Sequence, residues 1–150
     1  MEKKNKERSL FGGSSLTRFA IRLGNQIDNV NIVEGINLNE YQDYKINLRE
    51  PVNITNLQIL SNFLPGTSIK IQSFELTNIN DEKFIVPLKD VYVSSKGSFF
   101  IEDKNDINIF VTNYSDEKIK IKFSKLYKKI TQITININFS KANLTNKDKC

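Results

Sequence analysis

The chain has 150 residues, a formal net charge of +5 and a pI near 9.2. It contains no histidine and no tryptophan, and its one cysteine is Cys150. This composition excludes Ser-His and Cys-His catalytic arrangements, an internal disulfide framework and the usual zinc sites. The mild basicity permits contact with a polyanion but does not require it.

The length predicts one domain with a single core. We expect a basic N-terminal arm over residues 1–13, a β-sandwich domain over 14–140 and a polar C-terminal tail over 141–150. No stretch approaches roughly 18 apolar residues, so no transmembrane segment is predicted. The charged start is followed by no apolar segment typical of a signal peptide, which favours a cytoplasmic location.

The arm ends at Gly12-Gly13, a pair that gives a chain a flexible joint. Two interpretations stay open: a disordered terminus, or a segment that docks onto a partner. The partner-docking residues of the second interpretation are Lys3, Lys4, Lys6, Arg8, Leu10 and Phe11.

Short segments of alternating apolar and polar residues follow, a pattern typical of half-buried strands. We predict that about eight to ten of these segments are strands, and segment 52–60 also fits a helical face. In chain order the segments are 16–23, 29–33, 42–49, 52–60, 67–77, 84–88, 91–93, 98–102, 107–112, 117–123 and 131–139.

Three features interrupt this alternation. Pro51 is expected to end the third segment, because proline belongs at a strand start or a sheet edge. Pro65-Gly66 predicts a turn. The apolar phase flips at Ser73, which predicts a β-bulge or a strand that passes between sheets.

Strands spaced about 8 to 12 residues apart, without a long helix, predict an antiparallel sandwich or barrel. We predict an all-β fold: an antiparallel β-sandwich that is jelly-roll-like. Its core is expected to contain isoleucines that lie in phase along the strands. These are Ile69, Ile71, Ile107, Ile109, Ile119, Ile121, Ile133, Ile135 and Ile137.

The acidic residues lie mostly in turn-like sequences, where Asp and Asn bond the local backbone. The alternative is a paired-carboxylate hydrolase built on these acids, but we expect them to have turn roles and expect no enzyme activity. Glu102, Asp103 and Asp106 are the best local ligands for calcium, but their spacing is not that of an EF-hand. No glycine-rich phosphate loop is present either, and we expect no metal and no cofactor.

Lysines alternate along segment 117–123 and continue beyond it. Such a stripe can follow the charges of a polyanion. Alternatively, it solvates an outer face and discourages edge pairing. No aromatic residue is interleaved with these lysines, which weakens the nucleic-acid interpretation. The candidate polyanion-facing stripe is Lys118, Lys120, Lys122, Lys125, Lys128 and Lys129.

A carbohydrate site usually needs an exposed aromatic ring that packs against the apolar face of a sugar. The candidates are Tyr41, Tyr92, Tyr114 and Tyr127. The alternative for each is a half-buried position in a sheet.

Residues 97–123 follow the order strand, acidic turn, strand, Asn-rich turn, strand. Together with the basic arm, this pattern resembles small single jelly-roll virion proteins, such as the penton and minor capsid proteins of tailless bacteriophages. It is also similar to sandwich modules that bind carbohydrate. The resemblance spans roughly residues 40–139. The first resemblance implies homo-oligomeric rings, contacts with neighbouring structural proteins through terminal arms and a place in the virion.

Two functions follow as hypotheses. The first is a non-enzymatic structural or assembly protein, such as a capsid, penton or capsid-associated component of a virion, which oligomerises and docks through its arm. The second is a carbohydrate-binding or adhesion module. The absence of tryptophan and of a predicted signal peptide counts against the second hypothesis, so the sequence alone favours the first. A catalytic acidic sandwich ranks last, because no substrate can be named for it.

Overall fold

The computed structural model describes residues 18–24, 30–60, 66–94, 98–102, 107–111 and 118–141, with side chains for all except 98–102, 118 and 141. These ranges contain nine strands and one short 3₁₀ helix, Leu88–Asp90. The strands are β1 (Arg18–Leu23), β2 (Val30–Glu34), β3 (Tyr41–Leu60), β4 (Thr67–Asn78), β5 (Lys83–Ile85), β6 (Val91–Ser94), β7 (Ser98–Glu102), β8 (Ile107–Val111) and β9 (Lys118–Lys141).

The two longest strands, β3 and β9, form the central antiparallel pair. The strand order is β2-β1-β3-β9-β4-β8-β7, with β5 added to β4 and β6 added to β9. Residues 56–60 of β3 pair with 118–122 of β9, whereas residues 41–47 pair with 132–138. The register shifts between these two stretches, so each long strand has two halves that pair separately.

These halves belong to two layers. The first layer contains β2, β1, the 56–60 half of β3, residues 118–123 of β9, and β6. The second layer contains the 41–47 half of β3, residues 130–141 of β9, β4, β5, β8 and β7.

Aromatic rings from the two layers meet in the interior. Phe19 of β1 packs edge-on against Tyr44 of β3, with ring centroids 5.4 Å apart. Phe123 in the first layer packs against Phe74 of β4 in the second, also at 5.4 Å. The molecule is therefore a β-sandwich, and the predicted all-β, jelly-roll-like, antiparallel architecture of eight to ten strands is confirmed.

The core lies between the layers and contains buried residues from both of them. All nine isoleucines expected in the core are buried, none more than 1% exposed. Alternation along each strand places these side chains inward and leaves the polar residues outside, which is the period of two that the sequence displays.

Two predicted strand boundaries are wrong. Pro51 does not end a strand, because β3 continues through it. Its pairing with β9 is interrupted between Asn47 and Val52, so Pro51 lies where its missing N–H costs no ladder hydrogen bond. The described part of segment 117–123 and the whole of segment 131–139 are likewise parts of the one strand β9, which bends between them.

Other local predictions are confirmed. Segment 52–60 is a strand, and the register between β4 and β9 shifts between Ile71 and Ser73, where the apolar phase flips. Gly66 has a φ of +95°, which glycine adopts without strain. The arm, Pro65 and residues 142–150 of the tail lie outside the described residues.

Candidate binding faces

Each layer turns one side of its strands to the core and the other outward. We call the outer side of the second layer the amide face, because amide side chains from three strands line it. Cross-strand register places these outward residues there: Tyr41, Asp43, Lys45 and Asn47 of β3, Gln132, Thr134, Asn136, Asn138 and Ser140 of β9, Ser68, Lys70, Ser73, Glu75 and Thr77 of β4, Lys83 and Ile85 of β5, and Asn108 and Phe110 of β8.

Hydrogen bonds between neighbouring strands order the amide face. Asn136 donates from Nδ2 to Oδ1 of Asp43 at 2.8 Å. Gln132 donates from Nε2 to Oδ1 of Asn47 at 2.7 Å. Both pairs are directly opposite in the β3–β9 register, so the backbone ladder itself holds the polar side chains in place.

Three amide oxygens of this face are buried and accept no hydrogen bond from the described part of the chain: Oδ1 of Asn108, Asn136 and Asn138. Asn138 and Asn108 flank Lys70 in one cross-strand row. A buried acceptor without a donor costs about 1–3 kcal/mol. A hydroxyl group that reached these oxygens after a small side-chain rotation would recover part of that cost.

The amide face carries a net charge of only +1 and has an aromatic ring at its edge. Asp43 and Glu75 offset two of its three lysines, Lys45, Lys70 and Lys83, the last of which lies opposite Thr77. Tyr41 lies opposite Asn138 and is 37% exposed. A surface of low net charge with amides, carboxylates and a ring has the chemistry that an uncharged polyhydroxyl ligand needs.

We call the outer side of the first layer the basic face. Its described outward side chains include four cations, Arg18, Arg22, Lys120 and Lys122, and one acid, Glu34. The rest are Ala20, Val30, Ile32, Asn56, Gln58, Leu60, Tyr92 and Ser94.

The predicted lysine stripe does not run as one straight row. Lys120 and Lys122 are exposed on the basic face. Lys118 is two residues before Lys120 along β9, and the register places it on the same face. Lys125, Lys128 and Lys129 are also exposed but lie in the bend of β9, where the strict alternation ends. The ammonium of Lys125 lies 5.0 Å above the ring of Tyr127.

The lysine stripe predicted from the sequence does not include three residues that the structure places beside it on the basic face. Arg22 and Gln58 lie in one row with Lys120, and Arg22 Nη1 donates to Oε1 of Gln58 at 3.4 Å. Tyr92 is opposite Lys122 and 60% exposed, so an aromatic ring does accompany the lysines, from the neighbouring strand. The alternation of segment 16–23 marked Arg22 as outward, but no sequence signal paired β6 with β9.

The candidate tyrosines have different surroundings. Tyr127 is only 6% exposed and packs against Phe84 and Phe123. Burial, and then the charge of Asp90, raise the pKa of its phenol. Tyr41 and Tyr92 lie on opposite faces, and Tyr114 lies outside the described residues. No face within the described ranges therefore combines two of these rings.

The remaining site predictions fall largely outside the described residues. These include the arm residues 3–11 and the acidic turn 103–106. Among the residues that are described, no group of three His, Cys, Asp or Glu side chains is placed to hold a metal ion. Over the same ranges no helix is long and apolar enough to cross a membrane.

Comparison with known proteins gives no family for this chain. No protein-family model matches the chain, and no curated protein matches it. Among solved structures, it is similar to the CBM3a-L domain with flanking linkers from the scaffoldin cipA of the cellulosome of Clostridium thermocellum, at 11% identity and a TM-score of 0.33. That alignment covers 83% of this chain and 66%, just under two thirds, of the other. At this TM-score the likeness carries no argument, and the fold rests on the strand pairing and ring contacts above.

Proposed function

We propose that the protein is a non-catalytic β-sandwich module that binds carbohydrate through the amide face. The observation that carries the proposal is the row of paired polar side chains across β3, β9 and β4, anchored by the Asn136–Asp43 hydrogen bond of 2.8 Å. Carboxylates accept hydrogen bonds and amides both donate and accept them, so such pairs match the adjacent hydroxyls of a sugar.

The dimensions of the amide face suit a chain rather than a small compact ligand. From Gln132 to Asn138 the β9 strand advances about 20 Å, at roughly 3.3 Å per residue. Three adjacent strands add about 10 Å of width, at roughly 4.8 Å between strands. We expect the ligand to be a neutral polysaccharide that lies along β9, with Tyr41 under the apolar side of one sugar ring.

This proposal reverses the order of the two sequence-based hypotheses. The virion hypothesis depends on docking residues in the arm, which lies outside the described residues. The carbohydrate hypothesis depends on a face that is described, so it is the one we put forward. The virion hypothesis stays a prediction; light scattering of the full chain, with and without residues 1–13, would favour it if only the full chain formed a discrete ring.

The test is a glycan array followed by titration calorimetry on the best neutral polysaccharide. We expect Asn136→Ala to weaken binding about 3- to 10-fold, since one neutral hydrogen bond contributes about 0.5–1.5 kcal/mol. Asp43→Ala should weaken it by about 10-fold or more, since a hydrogen bond to a carboxylate contributes about 1.5–3 kcal/mol. The matched control is Asn56→Ala, the same substitution on the opposite face, which should leave affinity unchanged. Thermal unfolding of each variant checks that the fold is retained.

Two results would overturn the proposal. One is the absence of any neutral glycan bound at millimolar concentration. The other is binding that the Asn56→Ala control weakens as much as the Asn136→Ala variant does. The non-catalytic part is tested separately: incubation with the bound polysaccharide should release no new reducing ends, and their release would make the protein an enzyme.

A further inference from the structure

We propose that the basic face is a second binding surface, which takes an anionic polysaccharide. This inference goes beyond the proposed function, because the basic face lies on the opposite layer from the amide face and contains different residues. Its described outward side chains carry four positive charges and one negative charge, a net of +3, whereas those of the amide face carry three positive and two negative charges, a net of +1. A face of one sign raises the local concentration of an oppositely charged polymer.

The cations are held in order by the strand register. Arg22, Gln58 and Lys120 form one row across three neighbouring strands, and Lys122 is two residues from Lys120 along β9. The two lysines are therefore about 6.6–6.8 Å apart along the strand. Because the row and the strand cross at Lys120, the charges form a two-dimensional pattern instead of a single line.

Arg22 has an unused hydrogen-bond donor. One of its guanidinium nitrogens donates to Gln58, but its buried Nε has no acceptor among the described residues. A guanidinium presents Nε and Nη as a fork that matches both oxygens of a carboxylate or sulfate group. A small movement of the side chain toward such an anion would pair this donor.

The aromatic content of the face favours a polysaccharide over a single-stranded nucleic acid. Tyr92, 60% exposed and opposite Lys122, offers one apolar ring beside a cation. Single-stranded nucleic acids need a succession of rings on which bases stack, and the described part of this face has one. A sugar polymer with a charge on each unit needs only a ring to pack one sugar and spaced cations for the rest.

The test compares three polymers with the full chain: polygalacturonate, its methyl ester and a single-stranded oligonucleotide of equal charge. We expect polygalacturonate to bind most tightly at about 50 mM salt and to lose most of its affinity at about 500 mM, as screening shortens the range of the charges. The methyl ester, which is uncharged, should bind at least 10-fold more weakly to this face.

Variants locate the surface. The double variant Lys120→Ala/Lys122→Ala should weaken polygalacturonate binding at least 10-fold, and Tyr92→Ala should weaken it several-fold. The matched control, Lys45→Ala/Lys83→Ala, removes the same charge from the second layer and should change affinity less than 2-fold.

Equal loss in both double variants would overturn the inference, as it would indicate a non-specific charge effect. So would tighter binding of the oligonucleotide, or no polygalacturonate binding at low salt. Asn136→Ala should leave polygalacturonate affinity unchanged, so failure of this surface and failure of the amide face are distinguishable. Thermal unfolding identifies any variant that does not fold.

Discussion

Burial controls the ionisation of two core tyrosines. Tyr44, 2% exposed, packs between Phe19 and Phe139 where the layers meet. Burial is the main cause that raises the pKa of Tyr44, as it also does for Tyr127. Near pH 10 a tyrosine in the unfolded chain loses its proton, whereas a buried tyrosine with a raised pKa keeps its proton in the folded protein. The contribution of the buried phenol to stability is therefore complete below about pH 10 and is lost as the pH rises above it.

We therefore predict that Tyr44→Phe makes the melting temperature fall less steeply as pH rises from about 8 to 11. The melting temperature would be followed by circular dichroism at several pH values. Tyr92→Phe, at an exposed position, is the control and should keep the slope of the wild type. Equal slopes for Tyr44→Phe and the wild type would show that burial of Tyr44 does not govern the alkaline transition.

At the scale of elements, the bend of β9 determines how the two layers connect. Lys129 has a φ of +54°, and its N–H donates to Oδ1 of Asn53 on β3 at 3.0 Å. A left-handed conformation costs a non-glycine residue roughly 1–2 kcal/mol. The side-chain acceptor from Asn53 and the N–H of Ile79, which donates to the Lys129 carbonyl at 3.0 Å, hold the backbone there.

We predict that Lys129→Gly leaves the protein as stable as the wild type or more stable, because glycine adopts positive φ without the steric cost. Lys128→Gly, one residue earlier, gains nothing from this freedom and should cost about 0.5–1 kcal/mol. Urea denaturation of both variants measures the difference. A Lys129→Gly variant as unstable as Lys128→Gly would contradict a left-handed bend.

The bulge at Ser73 could be predicted from the sequence, whereas the bend of β9 could not. In β4 the apolar residues change from odd to even positions, and only an extra residue keeps both sets in the core. In β9 the apolar positions keep odd numbers on both sides of residues 124–130. The lysine-rich stretch between them interrupts the alternation, so the sequence predicts two strands where one bends.

At the scale of the whole molecule, two separate groups of aromatic rings pack between the layers. Phe19, Tyr44 and Phe139 form one group, in which Phe19 and Phe139 have centroids 5.2 Å apart. Phe74, Phe123 and Tyr127 form the other. Such ring pairs contribute about 0.5–1.5 kcal/mol beyond the area that they bury.

Double-mutant cycles should therefore separate the groups. We predict that Phe19→Leu and Phe139→Leu couple by about 0.5–3 kcal/mol, because the two rings are in contact. Phe19→Leu and Phe123→Leu, which share no ring partner among the described contacts, should add within about 0.5 kcal/mol. The free energy of unfolding in urea is the readout, and strong coupling in the second pair would mean that the rings form one continuous stack.

The candidate faces arise only at this scale. Alternation placed Lys120 and Lys122 outward, and Asn136 and Asn138 outward on the other half of the same strand. Nothing local brought Arg22, Gln58 and Tyr92 beside the lysines, or Asp43 beside Asn136. These neighbours lie on β1, β3 and β6, at sequence separations that no periodic pattern encodes.

By itself, the sequence determined the all-β class, the buried isoleucines, the bulge at Ser73 and the absence of histidine chemistry. These depend on the period of two and on composition, which are local properties of the chain. Tertiary structure alone decided that β3 and β9 each contribute to both layers, and that one outer face is close to neutral and the other basic. Cross-strand register sets those properties, and register depends on how strands distant in sequence bury their apolar sides against each other.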